Sequence, residues 1–319
     1  MEKPNNRRPY AVVVGAVNMD IGGISQAPLV DADSNPGRVR MSLGGVGRNI
    51  AHNMALLGVD TRMITALGDD ANARSIRDSC TELGIDLSTA VTVPGATTST
   101  YLYISGPAGD MALAVSDMEI YAALTPETVS ARQELLDNAA LVVVDTNIPA
   151  ETVQWLGSHC TAPLFADPVS TVKAEKLRPV LGRLHTLKPN RLEAETLSGV
   201  AITDEKSLYA AADALLSTGL KRVFVSLGSE GVLAADQAEK LRLRRLPGPV
   251  VNTTGGGDAF MAGLVWAALN GAGLRDSALA GLAAASIAVE GRDTINPLMG
   301  GGLLKERINQ YNKSILEEQ

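Results

Sequence analysis

Thr253-Thr254-Gly255-Gly256-Gly257-Asp258-Ala259-Phe260-Met261-Ala262-Gly263 sets three consecutive glycines and an aspartate at the start of an apolar, helix-like run. Glycines let the backbone turn until several N–H groups converge on one point, and a helix N-terminus adds partial positive charge there. An anion can sit in such a nest. A carboxylate one residue further on would repel that anion unless it has a proton to take from a neighbour. The arrangement points to phosphoryl transfer. The amides of Gly255, Gly256 and Gly257 would stabilise the moving group, and Asp258 would accept the proton of an attacking hydroxyl. The competing reading is a glycine-rich turn capped by an aspartate, so the rest of the chain has to decide.

Working outward, β-rich runs alternate with helical patterns almost from end to end. Tyr10–Val17, Arg62–Ala66, Leu141–Asp145, Leu164–Asp167 and Arg222–Leu227 read as strands, with helices over Ile50–Leu57, Arg74–Leu83, Ala150–His159 and Leu208–Leu216. Such alternation predicts an α/β fold with a mostly parallel sheet covered by helices on both faces. Beyond Asp258, Ala259–Leu269 and Leu274–Val289 are helical runs whose small residues suit close packing, and Leu303–Leu316 reads as a terminal helix. Two intervals break the alternation. Ile21–Leu43 is rich in Gly, Asp, Ser, Asn and Pro, and Thr97–Val115 reads as strands Thr100–Ser105 and Met111–Val115 around the turn Gly106-Pro107-Ala108-Gly109. Together they predict a small β lid, separate surface loops being the alternative.

Composition narrows the function classes. The 319 residues carry a net charge of −7 without a long basic run, which argues against a dedicated nucleic-acid binder. Arg7-Arg8 is the only notable basic patch near the start, and the apolar run Ala11–Val17 is too short for a membrane span or signal sequence. Cys80 and Cys160 stand far apart, so a disulfide framework is not expected, both are read as buried apolar residues, and a reducing cytoplasm fits. His52, His159 and His185 form no metal-ligand spacing.

A second glycine cluster, Gly44-Gly45-Val46-Gly47-Arg48-Asn49, precedes a helical run and would let a ligand approach the backbone. Asp20 follows the first strand, at the carboxyl end where open α/β sheets bind ligands. An ionised carboxylate there can accept from two vicinal hydroxyls of a sugar, although Asp20 taken alone reads first as a turn residue or helix cap. Asp145, Asn147 and Asp167 end strands on the same side. The first strand–helix turn, Gly15-Ala16-Val17-Asn18, lacks the spaced glycines of a dinucleotide-binding oxidoreductase.

With Gly44-Gly45-x-Gly-x-Asn49-x-Ala51 in the first quarter and Asn252-Thr-x-Gly-Gly-Gly-Asp258 in the last third, the chain resembles the ribokinase-like (PfkB-type) carbohydrate kinases along nearly its whole length. Asp31–Gly37, Gly45–Ala51 and Leu187–Gly199 are most similar to the pseudouridine kinase subgroup. The resemblance implies a three-layer α/β/α sandwich. It would form one catalytic domain over 1–319, with a lid from about 21–43 and 97–117. It implies Asp258 as base, Gly255–Gly257 as anion hole, and Asp20, Gly44, Gly45 and Asn49 on the sugar. Asn190 and Glu193 would organise magnesium through water, though they also fit a helix cap with a reciprocal partner. Ser226, Gly228 and Gly231 would border ATP near Thr254, unless that loop is only a strand-to-strand turn.

Ser34, Asn35, Thr98, Ser99 and Asp117, in or beside the lid, are the candidates for reading a base, and Asn147 is a further pocket residue. Many relatives have an acidic residue where Asn252 stands, so a potassium ion at Asn252 and Thr254 is left open. The implied activity is ATP-dependent phosphorylation of the 5′-hydroxyl of pseudouridine. Ribose, another nucleoside or a sugar phosphate is the alternative substrate, and a non-catalytic sugar or nucleoside sensor the alternative class. Leu29, Val30, Tyr101 and Tyr103 would allow a homodimer through the lids, or pack within one lid.

Overall fold

The computed structural model describes residues 9–317, so Arg7-Arg8 lies outside the described residues. Among these, nine strands form the main sheet. In spatial order they are Lys240–Leu243, Val232–Asp236, Arg222–Ser226, Thr186–Leu187, Leu164–Asp167, Leu141–Asp145, Tyr10–Val14, Asp60–Ile64 and Ile85–Asp86. All neighbours from Arg222–Ser226 onward pair in parallel. Val232–Asp236 alone runs antiparallel to both its partners.

The strand sequences explain the layering. Ala11 and Val13 join one apolar core and Val12 and Val14 the other, and Leu141 and Val143 divide from Val142 and Val144 in the same way. Side chains alternate across a strand, so an unbroken apolar run demands cover on both faces. Val46–Leu56, Gly256–Leu269 and Leu274–Val289 cover one face; Ala150–His159 and Glu205–Ser217 cover the other. The expected small-residue packing joins the first group: a Cβ on Gly263 would stand 2.5 Å from the Ala280 carbonyl oxygen. The result is a three-layer α/β/α sandwich.

Both irregular intervals enter a single four-stranded lid, ordered Gly37–Gly44, Asn18–Ser25, Thr100–Ser105, Met111–Asp117. The hairpin expected from Thr97–Val115 forms, with its second strand extended to Asp117 and a register shift between Ile104 and Ser105. The first strand stops at Val14 instead of Val17, and the lid starts at Asn18. Asp20 therefore stands on a lid strand rather than on a loop after the first strand.

Paired residues in a sheet share a face. Asp20 pairs with Ser42 and Tyr101, and Gly22 with Arg40 and Tyr103, so both tyrosines lie on the Asp20 side. Thr100 pairs with Met19 and with Asp117, so Asp117, a base-reading candidate, lies on the opposite side from Asp20, a side that is apolar over two rows. Met41, Ile21, Leu102 and Val115 form one cross-strand row, and Val39, Gly23, Ile104 and Leu113 the next. Val39 is 73% exposed and Leu113 62%. Cys80 is buried as expected, whereas Cys160 is only half-buried. Among the described residues no helix is long and apolar enough to cross a membrane.

Candidate active site

Gly255 caps the helix Gly256–Leu269 with φ 83°, a left-handed conformation, and a Cβ there would lie 2.2 Å from the Thr294 carbonyl oxygen. Only glycine fits. This turn sets the amides of the glycine run at the helix N-terminus and Asp258 in the first helical turn. Asp258 is half-buried, and its Oδ2 accepts a 2.9 Å hydrogen bond from Asn49 Nδ2 on the helix Val46–Leu56. The two glycine signatures, more than 200 positions apart, thus meet through one hydrogen bond. Asn49 Oδ1 is buried and has no partner, leaving an acceptor beside Asp258.

Lys188, to which the sequence pattern gave no role, lies beside this group. It directly follows the buried strand Thr186–Leu187, is only 5% exposed, and pairs with Asp167 Oδ2 at 3.1 Å. A Cβ on Gly257 would stand 3.3 Å from its Nζ, so the ammonium adjoins the glycine nest. Burial drags the Lys188 ammonium down, but Asp167, Glu193 and Asp258 together hold it above the ordinary lysine range. Burial likewise pushes the Asp258 carboxyl up to about 7, with Asp167 and Asp145 adding to the rise and Asn49 and Lys188 opposing it. A signal for Lys188 was present in the sequence, since a lysine directly ends an apolar strand run at Leu187-Lys188-Pro189.

Asp20 sits against Gly44, where any Cβ would fall 2.1 Å from its Oδ2. The Asn18 amide donates to Asp20 Oδ1. Burial lifts the Asp20 carboxyl to about 6, against the pull of Asn18 and Arg48. Gly45 caps the helix Val46–Leu56 with φ 94°. Arg48, buried on that helix, donates to the Leu43 carbonyl at 3.1 Å and to Ser79 Oγ at 3.0 Å, tying the root of the lid to the body.

Asn190 and Glu193 form the reciprocal cap: Glu193 N–H donates to Asn190 Oδ1 at 2.9 Å and Asn190 N–H to Glu193 Oε2 at 2.8 Å. Ser226 N–H donates to the Pro189 carbonyl at 2.9 Å, and Gly228 and Gly231 shape the tight turn that follows between two antiparallel strands. Arg191 and Arg242 hold this turn through Glu230, at 2.6 and 3.2 Å. Asn252 Oδ1 accepts the Thr254 N–H at 3.0 Å, and its amide donates to the Arg292 carbonyl at 3.1 Å.

The base-reading candidates are scattered by comparison. Ser34 and Asn35 lie in the exposed lid turn, and Asn35 is engaged there with Val30 N–H and with the carbonyls of Val30 and Asp33. Thr98 is fully buried, its hydroxyl donating to Asp70 and accepting from the Gly68 N–H. Ser99 is buried and donates to the Asp117 carbonyl at 2.9 Å, while Asp117 itself is exposed. Asp145 is fully buried and accepts from the N–H groups of Ala16 and Asn147, each at 2.8 Å. Among the described residues no cluster of three or more His, Cys, Asp or Glu could hold a metal ion.

The family model for the pfkB family carbohydrate kinases matches residues 8–299. Pseudouridine kinase of Escherichia coli (strain K12) is 38% identical over 292 residues, covering 91% of this chain and 93% of that one. A carbohydrate kinase from Agrobacterium tumefaciens superposes with a TM-score of 0.84 at 27% identity, covering 94% and 97% of the two chains. Ribokinase of Arabidopsis thaliana complexed with ribose and ATP shares the fold, with a TM-score of 0.84 at 22% identity and coverage of 95% and 99%. A glycine nest with an adjoining carboxylate, set in this sandwich under this lid, therefore has a family: the chain belongs to the pfkB family of carbohydrate kinases and is a phosphotransferase with an alcohol group as acceptor.

Proposed function

We propose that the protein transfers the γ-phosphoryl group of ATP to the 5′-hydroxyl of pseudouridine, giving pseudouridine 5′-phosphate and ADP. The observation that carries this reading is the place of Asp258, in the first turn of the helix capped by the glycine nest and hydrogen-bonded to Asn49, where burial lifts its carboxyl. In this account Asp258 takes the 5′-hydroxyl proton as that oxygen bonds to the γ-phosphorus and the bond to the ADP oxygen breaks. A base with its pKa near the working pH suits the step. The amides of Gly255–Gly257 and the Lys188 ammonium would offset charge on the transferred group.

Asp20 and the free Asn49 Oδ1 would hold ribose hydroxyls, fixing the reacting oxygen in line. ATP would lie along Thr254, Asn190 and the Ser226–Gly231 turn. With no protein cage for it among the described residues, magnesium would be held mainly by phosphates and water beside Asn190 and Glu193, neutralising phosphate charge. Asn252 Oδ1 already accepts the Thr254 N–H, so a potassium ion there would share that oxygen and draw its other ligands from main-chain carbonyls. The exposed apolar lid face suits a second copy of this chain, and light scattering should report a dimer that Leu113→Glu splits.

The 38% identity to the Escherichia coli enzyme favours pseudouridine over ribose. A substrate panel with ATP tests this directly. Pseudouridine should give the highest kcat/KM among pseudouridine, uridine, ribose and fructose 6-phosphate. A preference for ribose or the sugar phosphate would overturn the assignment.

A further inference from the structure

The glycine nest leans on a loop that follows the helix Leu274–Val289. The Val289 carbonyl accepts the N–H groups of Val251 at 2.8 Å and Asn252 at 3.2 Å, and a Cβ on Gly256 would stand 3.1 Å from Val289 Cγ1. Further along, the Arg292 carbonyl accepts the Asn252 amide, and the Thr294 carbonyl lies against Gly255. Residues 289–294 therefore meet Asn252, Gly255 and Gly256. A shift of this loop would carry the nest with it.

Glu290 stands at the head of the loop, and its fastening is one-sided. Arg307 Nη2, on the helix Gly301–Glu317, donates to Glu290 Oε2 at 2.8 Å, with the two side chains only 22% and 19% exposed. Glu290 Oε1 is buried without a hydrogen-bond partner among the described residues, and a Cβ on Gly248 would lie 2.8 Å from it. Taking Arg307 away leaves a mostly buried carboxylate uncompensated, a costly state that the loop relieves by turning Glu290 toward water. The helix that carries Arg307 is a firm anchor, since Leu304 and Tyr311 join the apolar core that also holds Ile287 and Ala288. It lies beyond residues 8–299, which the family model matches.

We propose that Glu290 and Arg307 are positioning residues for the nucleotide side of the reaction, through which the C-terminal helix holds the glycine nest in place. This rests on the reading of the nest as the phosphate site, and not on which alcohol is the acceptor. The link runs through the main chain of 289–294 to Asn252 and Gly255. A mostly buried ion pair suits the task, because the loop can leave its place only by stranding a charge.

The test compares wild type, Arg307→Met, Arg307→Lys and Glu290→Gln by steady-state kinetics and amide hydrogen exchange. Arg307→Met should raise KM for ATP about tenfold, within the range that coupling through packed elements reaches, while KM for pseudouridine stays within about twofold. Arg307→Lys keeps the charge and should recover much of the loss. Glu290→Gln strands no charge and should show a milder rise of the same kind; it carries the test if the Met variant does not fold. Without ATP, exchange should quicken at the amides of Val251 and Asn252 in Arg307→Met, with the lid strands unaltered. A merely structural role would lower the melting temperature and the active fraction but leave the ratio of the two KM values as in wild type. An unchanged KM for ATP, a parallel rise in both KM values, or unaltered exchange at Val251 and Asn252 overturns the positioning role alone. In wild type, ATP should slow exchange across residues 253–258; no protection there overturns the reading of the nest as the phosphate site, and this proposal with it.

Discussion

The strand-end body and the lid handle polar groups in opposite ways. In the body, Asp167, Lys188, Asp258 and Asn49 form a buried or half-buried chain in which each charge depends on its neighbour. In the lid turn, Ser34 and Asn35 are exposed, and the Asn35 amide serves the turn itself. Low-dielectric surroundings strengthen paired charges and penalise unpaired ones. The body's charges are therefore fixed against one another, whereas the lid turn is organised by bonds to its own main chain. Substitutions at Asp258 and Lys188 should change turnover, and those in the lid turn should change mainly substrate choice.

The largest effect expected from this contrast is that of Asp258→Asn. It should cut turnover by about 10²–10⁴-fold, the usual range for a lost general base, while nucleotide binding by calorimetry is retained. The same variant should be more stable than wild type at pH 8. With its pKa lifted from 3.8 to about 7, the native carboxyl holds a proton that the unfolded chain has released, so this group's contribution to stability falls as pH rises through that window. Thermal melts at pH 5 and pH 8 should show the gain growing with pH; a loss at both would break the account of why the carboxyl titrates high.

Lys188→Met comes next. It leaves Asp167 without its partner and removes one of the groups that lower the Asp258 pKa, so the acid limb of kcat/KM should move to higher pH as turnover falls. A fall in turnover with an unmoved limb would separate Lys188 from Asp258. Gly44→Ala should act mainly on KM for the nucleoside, by about tenfold or more, because the new methyl occupies the place of Asp20 Oδ2. Ser34→Ala should be the mildest, altering the ratio of pseudouridine to uridine use by a few-fold at most and leaving KM for ATP alone. If it instead lowered kcat as Asp258→Asn does, the division between body and lid would fail.

The sequence disclosed the body better than the lid for a physical reason. Val12 and Val14 need one apolar layer and Ala11 and Val13 another, so local runs report the layering directly. The hairpin of Asn18–Ser25 and Gly37–Gly44 is hidden because its glycines, arginines and serines carry little apolar signal, and its pairing with Thr100–Ser105 spans some eighty positions. For the same reason the sequence leaves Tyr101 and Tyr103 open between a dimer contact and packing within one lid, whereas the register sets them with Asp20. Glycine signatures marked Asp258 and Asn49 individually, but nothing local joins Lys188 to Asp167. That pairing follows from the order of parallel strands, in which Leu164–Asp167 lies beside Thr186–Leu187.

The sharpest examination of the whole account is a carbon-detected NMR titration of the Asp258 carboxyl in the free enzyme, assigned by its absence in Asp258→Asn. A midpoint near 7 should be observed, matching a carboxyl desolvated beside Asp167. A midpoint near the ordinary value of 3.8 would contradict it, because the group would then be a solvated helix-cap aspartate with no special affinity for a proton.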